Sequence, residues 1–317
     1  MRSYLEFEKP VADLEGKILE LRTMAHDGEG VNVDDEITKL EGKASDALAS
    51  LYSNLEPWQK MQVARHPDRP HFEHYLKNLI TDFTPLAGDR KFSDDLAIQC
   101  GFGRFNGQSV AIIGQEKGSD TETRIRHNFG MARPEGYRKA VRVMEMADRF
   151  NVPLITFVDT SGAYPGVGAE ERGQAEAIAR STEACLNLKT PIVSIIIGEG
   201  GSGGAIAIAT ANRVYMLQNA IYSVISPEGA ASILWRDATR AKDAATNMKI
   251  TAEDLQQLGI IDDIIGEPIG GAHRNPAAVF AETRKVIEKD LEELGKMSGD
   301  EIRKARRDKF LAIGRNL

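Results

Sequence analysis

Seven consecutive residues, Gly198-Glu199-Gly200-Gly201-Ser202-Gly203-Gly204, include five glycines. They lie between the β-branched run PIVSIII (Pro191 to Ile197) and the small-residue stretch AIAIA (Ala205 to Ala209). That order reads as strand, turn, helix, so the chain is constrained to an α/β layout at this point. The first amides of a helix have no intrahelical acceptor and sit at the positive end of its dipole. Bare of side chains, they predict a site for negative charge, permanent or developing in a transition state. Close strand–helix packing accounts for two of the five glycines.

Two other patterns overlap the same loop. Gly198-x-Gly200-x-x-Gly203 matches a dinucleotide fingerprint, which wants an acid about 20 residues on for the ribose. No Asp or Glu occurs from Gly200 to Pro227, which weakens that reading. Gly200-x-Ser202-x-Gly204 matches a nucleophile elbow, and the chain order Ser202, then Asp262 or Asp263, then His273 satisfies its triad. A serine hydrolase is therefore a competing reading. A Walker loop is excluded because Gly204-Ala205 stands where Lys-Ser/Thr belongs.

The chain has 317 residues, 42% of them hydrophobic, enough for a substantial core. A net charge of −7 argues against a nucleic-acid or membrane-surface role. The basic tail IRKARRDKF (Ile302 to Phe310) reads as a solvated helix face. Cys100 and Cys185 stand far apart in apolar surroundings and read as small buried hydrophobes, with no metal site implied. No run is long enough to span a membrane and MRSYLEFEKP is no signal peptide, so a soluble, cytoplasmic protein is expected.

Up to about Thr84 the period is helical. Val11, Leu14, Ile18 and Leu21 form one seam; Ile37, Leu40, Ala44, Leu48, Leu51 and Leu55 form another. These predict an αα-hairpin with no chemistry of its own, with Asn32 or Asp34 as cap of the second helix. Short β runs follow at Ala97–Phe105 and Ser109–Gly114, joined by the turn Asn106-Gly107. Then come a helix over Glu135–Arg149, a strand over Pro153–Val158, a helix over Ala169–Leu188 and the strand Pro191–Ile197. Strands are also expected at Arg213–Leu217, Ile221–Ile225 and near Ile260–Ile265, a helix at Gly229–Trp235, and amphipathic helices from Pro276 on. The division is 1–85 helical interface region, 86–275 core and 276–317 helical tail.

In an α/β sheet the loops after adjacent parallel strands lie side by side. The loop Asp159 to Gly168 should thus meet the glycine run and form one crevice. Its Gly, Ala, Tyr and Pro wall suits a flat neutral ring or an acyl chain, not phosphate. Asp159 and Thr160 read as turn-forming, Glu228 as a first-turn acid and His273 as a turn residue. No acid–base side chain stands out, which favours charge stabilisation by backbone amides.

Longer motifs add a family resemblance. FGMARPEGYRKA (Phe129 to Ala140), VDTSGAYPGVGAEERGQAEAIA (from Val158), IIIGEGGSGGAIAI (from Ile195), YSVISPEGAASILW (from Tyr222), EPIGGAHRNP (from Glu267) and LAGDR (Leu86 to Arg90) resemble the α subunits of bacterial acetyl-coenzyme A carboxylase carboxyltransferases. The likeness runs almost end to end. It implies a crotonase-like α/β fold of ββα superhelix type with an N-terminal helical region and C-terminal helices. It also implies a zinc-containing β subunit binding the acyl-CoA, a biotin carboxyl carrier protein, biotin carboxylase and an α2β2 assembly that makes malonyl-CoA from acetyl-CoA for fatty-acid synthesis. In such enzymes the amides of Gly203 and Gly204 would stabilise the enolate of biotin, whose freed ureido nitrogen serves as base. Gly162, Ala163, Tyr164, Pro165, Gly166, Gly200 and Gly201 would wall the biotin pocket. Ser161 and Ala132 depart from the family pattern, which has Pro at both positions. A related biotin-dependent transferase or decarboxylase for another acyl-CoA is the nearest alternative.

Overall fold

LITFVDT and IVSIIIGEGG bury every residue, with no polar alternation. A strand apolar on both faces belongs in the middle of a parallel sheet covered by helices on either side. The computed structural model, which describes residues 3–26 and 33–315, places both segments there. The sheet has eight strands: β1 (Thr81–Pro85), β2 (Ile98–Phe105), β3 (Gln108–Gln115), β4 (Leu154–Thr160), β5 (Ile192–Gly201), β6 (Arg213–Leu217), β7 (Ile221–Ser223) and β8 (Asp263–Ile265). Their order is β1-β2-β3-β4-β5-β6-β8, with β7 paired to the end of β5. The first three strands are antiparallel neighbours and the rest pair in parallel.

The β2–β3 hairpin turns at the expected Asn106-Gly107, at φ 47° and 83°. Two successive positive φ values are what a tight two-residue hairpin requires, and Asn and Gly tolerate them best. β5 serves two partners in succession. Val193 to Ile196 pair with β6, whereas Glu199 to Gly201 pair with β7. The sheet therefore divides at its most glycine-rich strand.

Helices α1 (Lys9–His26) and α2 (Asp34–Tyr52) form the expected seam through Ile18, Leu40 and Ala44. Tyr52 at the end of α2 donates to Glu8, just before α1, at 3.0 Å, so the two run antiparallel. Leu55 falls beyond α2; Asp34 opens its first turn after Val33 in the cap position, and Asn32 lies outside the described residues. Two shorter helices follow, α3 (Pro57–Ala64) and α4 (Phe72–Leu79). α4 packs Tyr75 on Phe157 of β4 and edge-on against Phe280, with centroids 5.4 and 4.9 Å away. Each such buried ring contributes about 1.5–3 kcal/mol.

Pro134 opens a helix that runs to Arg149, as its fixed φ favours. The single helix expected over Ala169–Leu188 is instead two, Val167–Glu171 and Gln174–Asn187, broken where Gly173 takes φ +81°. Beyond Pro276 lie helices Pro276–Leu294 and Gly299–Ala312, the latter closed by a reciprocal Ser298–Glu301 cap. The tail is not simply a solvated face. Arg306 is fully buried and donates to the carbonyls of Cys185, Leu188 and Thr190 and to Asn212 Oδ1, at 2.5–3.1 Å. It fills the C-terminal end of helix Gln174–Asn187, where carbonyls lack intrahelical donors. Among the described residues no helix is long and apolar enough to cross a membrane.

Candidate active site

The glycine run contains no turn. β5 stays extended through Gly201, and helix Ser202–Ala209 starts at the next residue. The change of direction is concentrated in Ser202, which takes φ +52°, a value costly for a non-glycine residue. The glycines permit close approach more widely than the two positions expected. A Cβ on Gly201 would sit 2.3 Å from the Ser161 carbonyl carbon, and one on Gly204 2.8 Å from that of Gly162. One on Gly198 would meet the Asp159 carboxylate at 2.5 Å, and one on Gly200 the Tyr222 ring at 2.8 Å. The loops after β4 and β5 thus do meet, backbone against backbone. Buried Gln115 ties them together, accepting from Asp159 N at 3.2 Å and donating to Gly204 O at 2.7 Å.

Gly203 and Gly204 occupy the first turn of this helix, where amide hydrogens have no partner within the helix. Ser202 and Gly203 open onto a cavity of about 480 Å³ whose other liners include Ile206, Tyr222, Val224, Leu258 and Ile260. Its titratable liners are Tyr222 and Lys249. Burial pushes the Tyr222 hydroxyl up to about 12, and Lys249 is paired with Asp254 at 3.6 Å. The cavity suits an apolar or flat neutral group with one charge-accumulating oxygen at the amides.

The expected wall is arranged less simply. Gly162 backs Gly201 and Gly204, and Gly200 lies in the sheet between Thr160 and Tyr222. Ala163, Tyr164, Pro165 and Gly166 are not among the described residues lining the cavity. Tyr164 donates its amide to Ala132 O at 3.0 Å, and the Arg133 guanidinium stands 4.7 Å above its ring. Thr160 forms the expected local turn, donating to Gly162 O at 2.7 Å.

The hydrolase triad does not assemble. Asp262 accepts from Val214 N at 2.7 Å and pairs with Lys309, while Asp263 accepts from Gln256 at 2.9 Å. His273 stacks on His66, rings 3.7 Å apart and 8° from parallel. Asp68 N donates to His66 Nδ1, so Nε2 carries the hydrogen donated to Ser3 O and the ring is neutral. Burial, then the neighbouring His66 and Arg69, holds His273 down to about 3. Ser202 has the backbone of an elbow without its base.

A charged network beside the loops went unread in the sequence. Asp159 is not a turn former but a buried carboxylate, 2.9 Å from Lys117 Nζ and 3.2 Å from His71 Nδ1, that accepts from Glu199 N at 3.0 Å. Burial alone would raise its pKa; Lys117 and His71 reverse this and hold it well below the usual carboxylate range. Glu199 is bonded by Lys117 and by Arg65, each at 2.7 Å, and Arg65 also reaches the first-turn acid Glu228 at 2.7 Å. Fully buried Arg69 donates to Ile197 O and forms a fork with Glu267 at 3.0 and 2.6 Å. The segment ARHPDRPH (64–71), in the region expected to carry no chemistry, supplies Arg65, Arg69 and His71. Its dense Arg and His without an apolar period was the available signal. Lys117, Arg65 and Arg124 also share a cavity with Ser161, in the loop whose wall reads as unsuited to phosphate.

A family model described as acetyl co-enzyme A carboxylase carboxyltransferase-like matches residues 4–314. The chain belongs to this family. Its relatives include acetyl-coenzyme A carboxylase carboxyl transferase subunit alpha of Sinorhizobium medicae, 70% identical, and that of Agrobacterium fabrum, 68% identical, each match covering all of both chains. Membership makes the chain a transferase component, not a serine hydrolase. Among solved structures, transcarboxylase 12S aligns with a TM-score of 0.59 at 22% identity, over 72% of this chain and 42% of that one. A chain of a Pseudomonas malonate decarboxylase hetero-tetramer aligns with 0.57 at 16% identity, over 68% and 86%. These likenesses carry the fold alone, and it is the crotonase-like one expected.

Proposed function

We propose that the chain is the α half of a carboxyltransferase that moves a carboxyl group from biotin on a separate carrier protein to acetyl-CoA, giving malonyl-CoA in the cytoplasm. The observation that carries this reading is Gly203, which stands in the first turn of helix Ser202–Ala209 and lines a mainly apolar cavity. That setting fits a neutral cyclic urea, which needs hydrogen-bond donors at its oxygen and apolar surroundings for its rings. When bound, carboxybiotin supplies the activated carboxyl group and, once relieved of it, a ureido nitrogen able to accept a proton. The amides of Gly203 and Gly204 would donate hydrogen bonds to the ureido oxygen of such a group, a stabilisation of about 2.7–4 kcal/mol per well-placed donor. Gly162, Ala163, Tyr164, Pro165 and Gly166, with Gly200 and Gly201, would wall the biotin pocket, a reading supported by the packing of Gly162 and Ala163 against Gly204.

The acyl-CoA side belongs to a β subunit, and an α2β2 assembly completes the enzyme. Within the chain, 1–85 is the interface region, 86–275 the transferase core and 276–317 a supporting tail. Reconstitution tests this proposal. The full chain alone should show no carboxyl transfer to acetyl-CoA, and adding the β subunit and biotinylated carrier should restore it. Full turnover by the chain alone would contradict the proposal.

A further inference from the structure

A second cavity, about 470 Å³, is lined by Ser161 and by Arg65, His71, Lys117 and Glu199 of the charged network. Of its ten lining residues five are Arg, Lys or His and one, Glu199, is acidic. Glu199 is already matched by Arg65 and Lys117, and the carboxylates of Asp159 and Glu228 are matched by Lys117 and Arg65 in turn. Two polar groups remain. Arg124 makes one long hydrogen bond, Nε to Gly118 O at 3.4 Å, and has no carboxylate within ion-pair distance among the described residues. His71 is only 8% exposed, and with Nδ1 committed to Asp159 its Nε2 is buried without a partner. An orphaned buried polar atom is uncommon and calls for a reason.

The rim supplies an independent sign. Asn128, Phe129 and Gly130 take φ of 50°, 55° and 76°, three left-handed residues in succession. Phe129 has little reason to adopt that conformation, and strain of this kind concentrates at binding sites. Its consequence is an aromatic ring held 49% exposed at the cavity. The loop is seated firmly, since a Cβ on Gly130 would lie 2.7 Å from Asp159 O and 2.8 Å from Lys117 Cγ. This is the start of the FGMARPEGYRKA motif, to which the carboxyl-transfer reading gives no role.

We propose that this cavity binds a small anion, its carboxylate or phosphate head held by the Arg124 guanidinium and its flat or apolar body resting on Phe129, with His71 Nε2 placed to accept a hydrogen bond from an O–H or N–H of the ligand. The Arg guanidinium suits either head, being a planar fork for oxyanions. Calorimetric titration of the full chain, alone and in its assembled complex, with phenyl phosphate and with benzoate tests the assignment. Saturable binding of at least one probe is expected, the tighter of the two identifying the head group. Arg124→Ala should weaken it tenfold or more, and Phe129→Ala should weaken the probe while leaving inorganic phosphate or acetate unaffected. Arg124→Lys, which keeps the charge but loses the fork, should fall between. Thermal melting confirms that each variant is folded. Failure of both probes to saturate, or folded variants that bind as the parent does, would overturn the proposal.

Discussion

His273 shows how one ring is tuned by what lies against it. Buried first of all, then stacked on His66 and near Arg69 and Arg274, it resists taking a proton, and its pKa falls from an ordinary 6.5 to about 3. The unfolded chain therefore binds this proton first as pH falls. Stability from the neutral pair is complete above about pH 6.5 and is lost progressively as pH drops toward 3. Melting temperature should fall between pH 7 and pH 5, a window above the titration of the paired carboxylates. His273→Phe, which keeps the stacked ring and cannot protonate, should flatten that slope. An unchanged slope in the variant would show that the stack is not the titrating element. Asp159 behaves in the opposite chemical sense but with the same sign: depressed by Lys117 and His71 against its burial, its contribution is lost only at more acidic pH.

At the scale of elements, helix Gly299–Ala312 is held by Arg306. Burial lowers its pKa to about 10, so it remains charged at neutral pH while satisfying three main-chain carbonyls and Asn212. Arg306→Met keeps much of the volume and removes every donor. Leaving a buried acceptor unsatisfied costs about 1–3 kcal/mol, so the variant should lose on the order of 3 kcal/mol in urea unfolding. A loss within the noise of the measurement would mean that water replaces the guanidinium. Elements were legible where local chemistry decides them. Asn106-Gly107, Pro134 and the apolar runs of β4 and β5 each carry their conformation in a few neighbouring residues. Arg306 was not legible, because an arginine in a basic amphipathic stretch looks solvated until distant carbonyls are seen to need it. The break at Gly173 was missed for the related reason that one glycine does not distinguish a tolerated residue from a left-handed stop.

For the molecule as a whole, the candidate site forms where two crossovers bring the ends of β4 and β5 together, with β7 continuing the sheet past the glycines. That the loops meet followed from parallel-strand topology alone. That the glycine run is a strand leading straight into a helix did not, since the pairing of Glu199 to Gly201 with β7 lies outside any local window. The network of Arg65, His71, Lys117, Asp159 and Glu199 joins segments up to 134 residues apart, as in the Arg65–Glu199 bond, and only the fold reveals it. The account rests on main-chain donors at Gly203 and Gly204, not on the Ser202 hydroxyl. The most direct test is the turnover of Gly203→Val beside Ser202→Ala, each assembled with the β subunit and carrier and shown to be folded. Gly203→Val should lower the carboxyl-transfer rate by about 10²–10³, and Ser202→Ala should stay within about tenfold of the parent; unaltered turnover in the glycine variant, with collapse in the serine variant, would contradict the account.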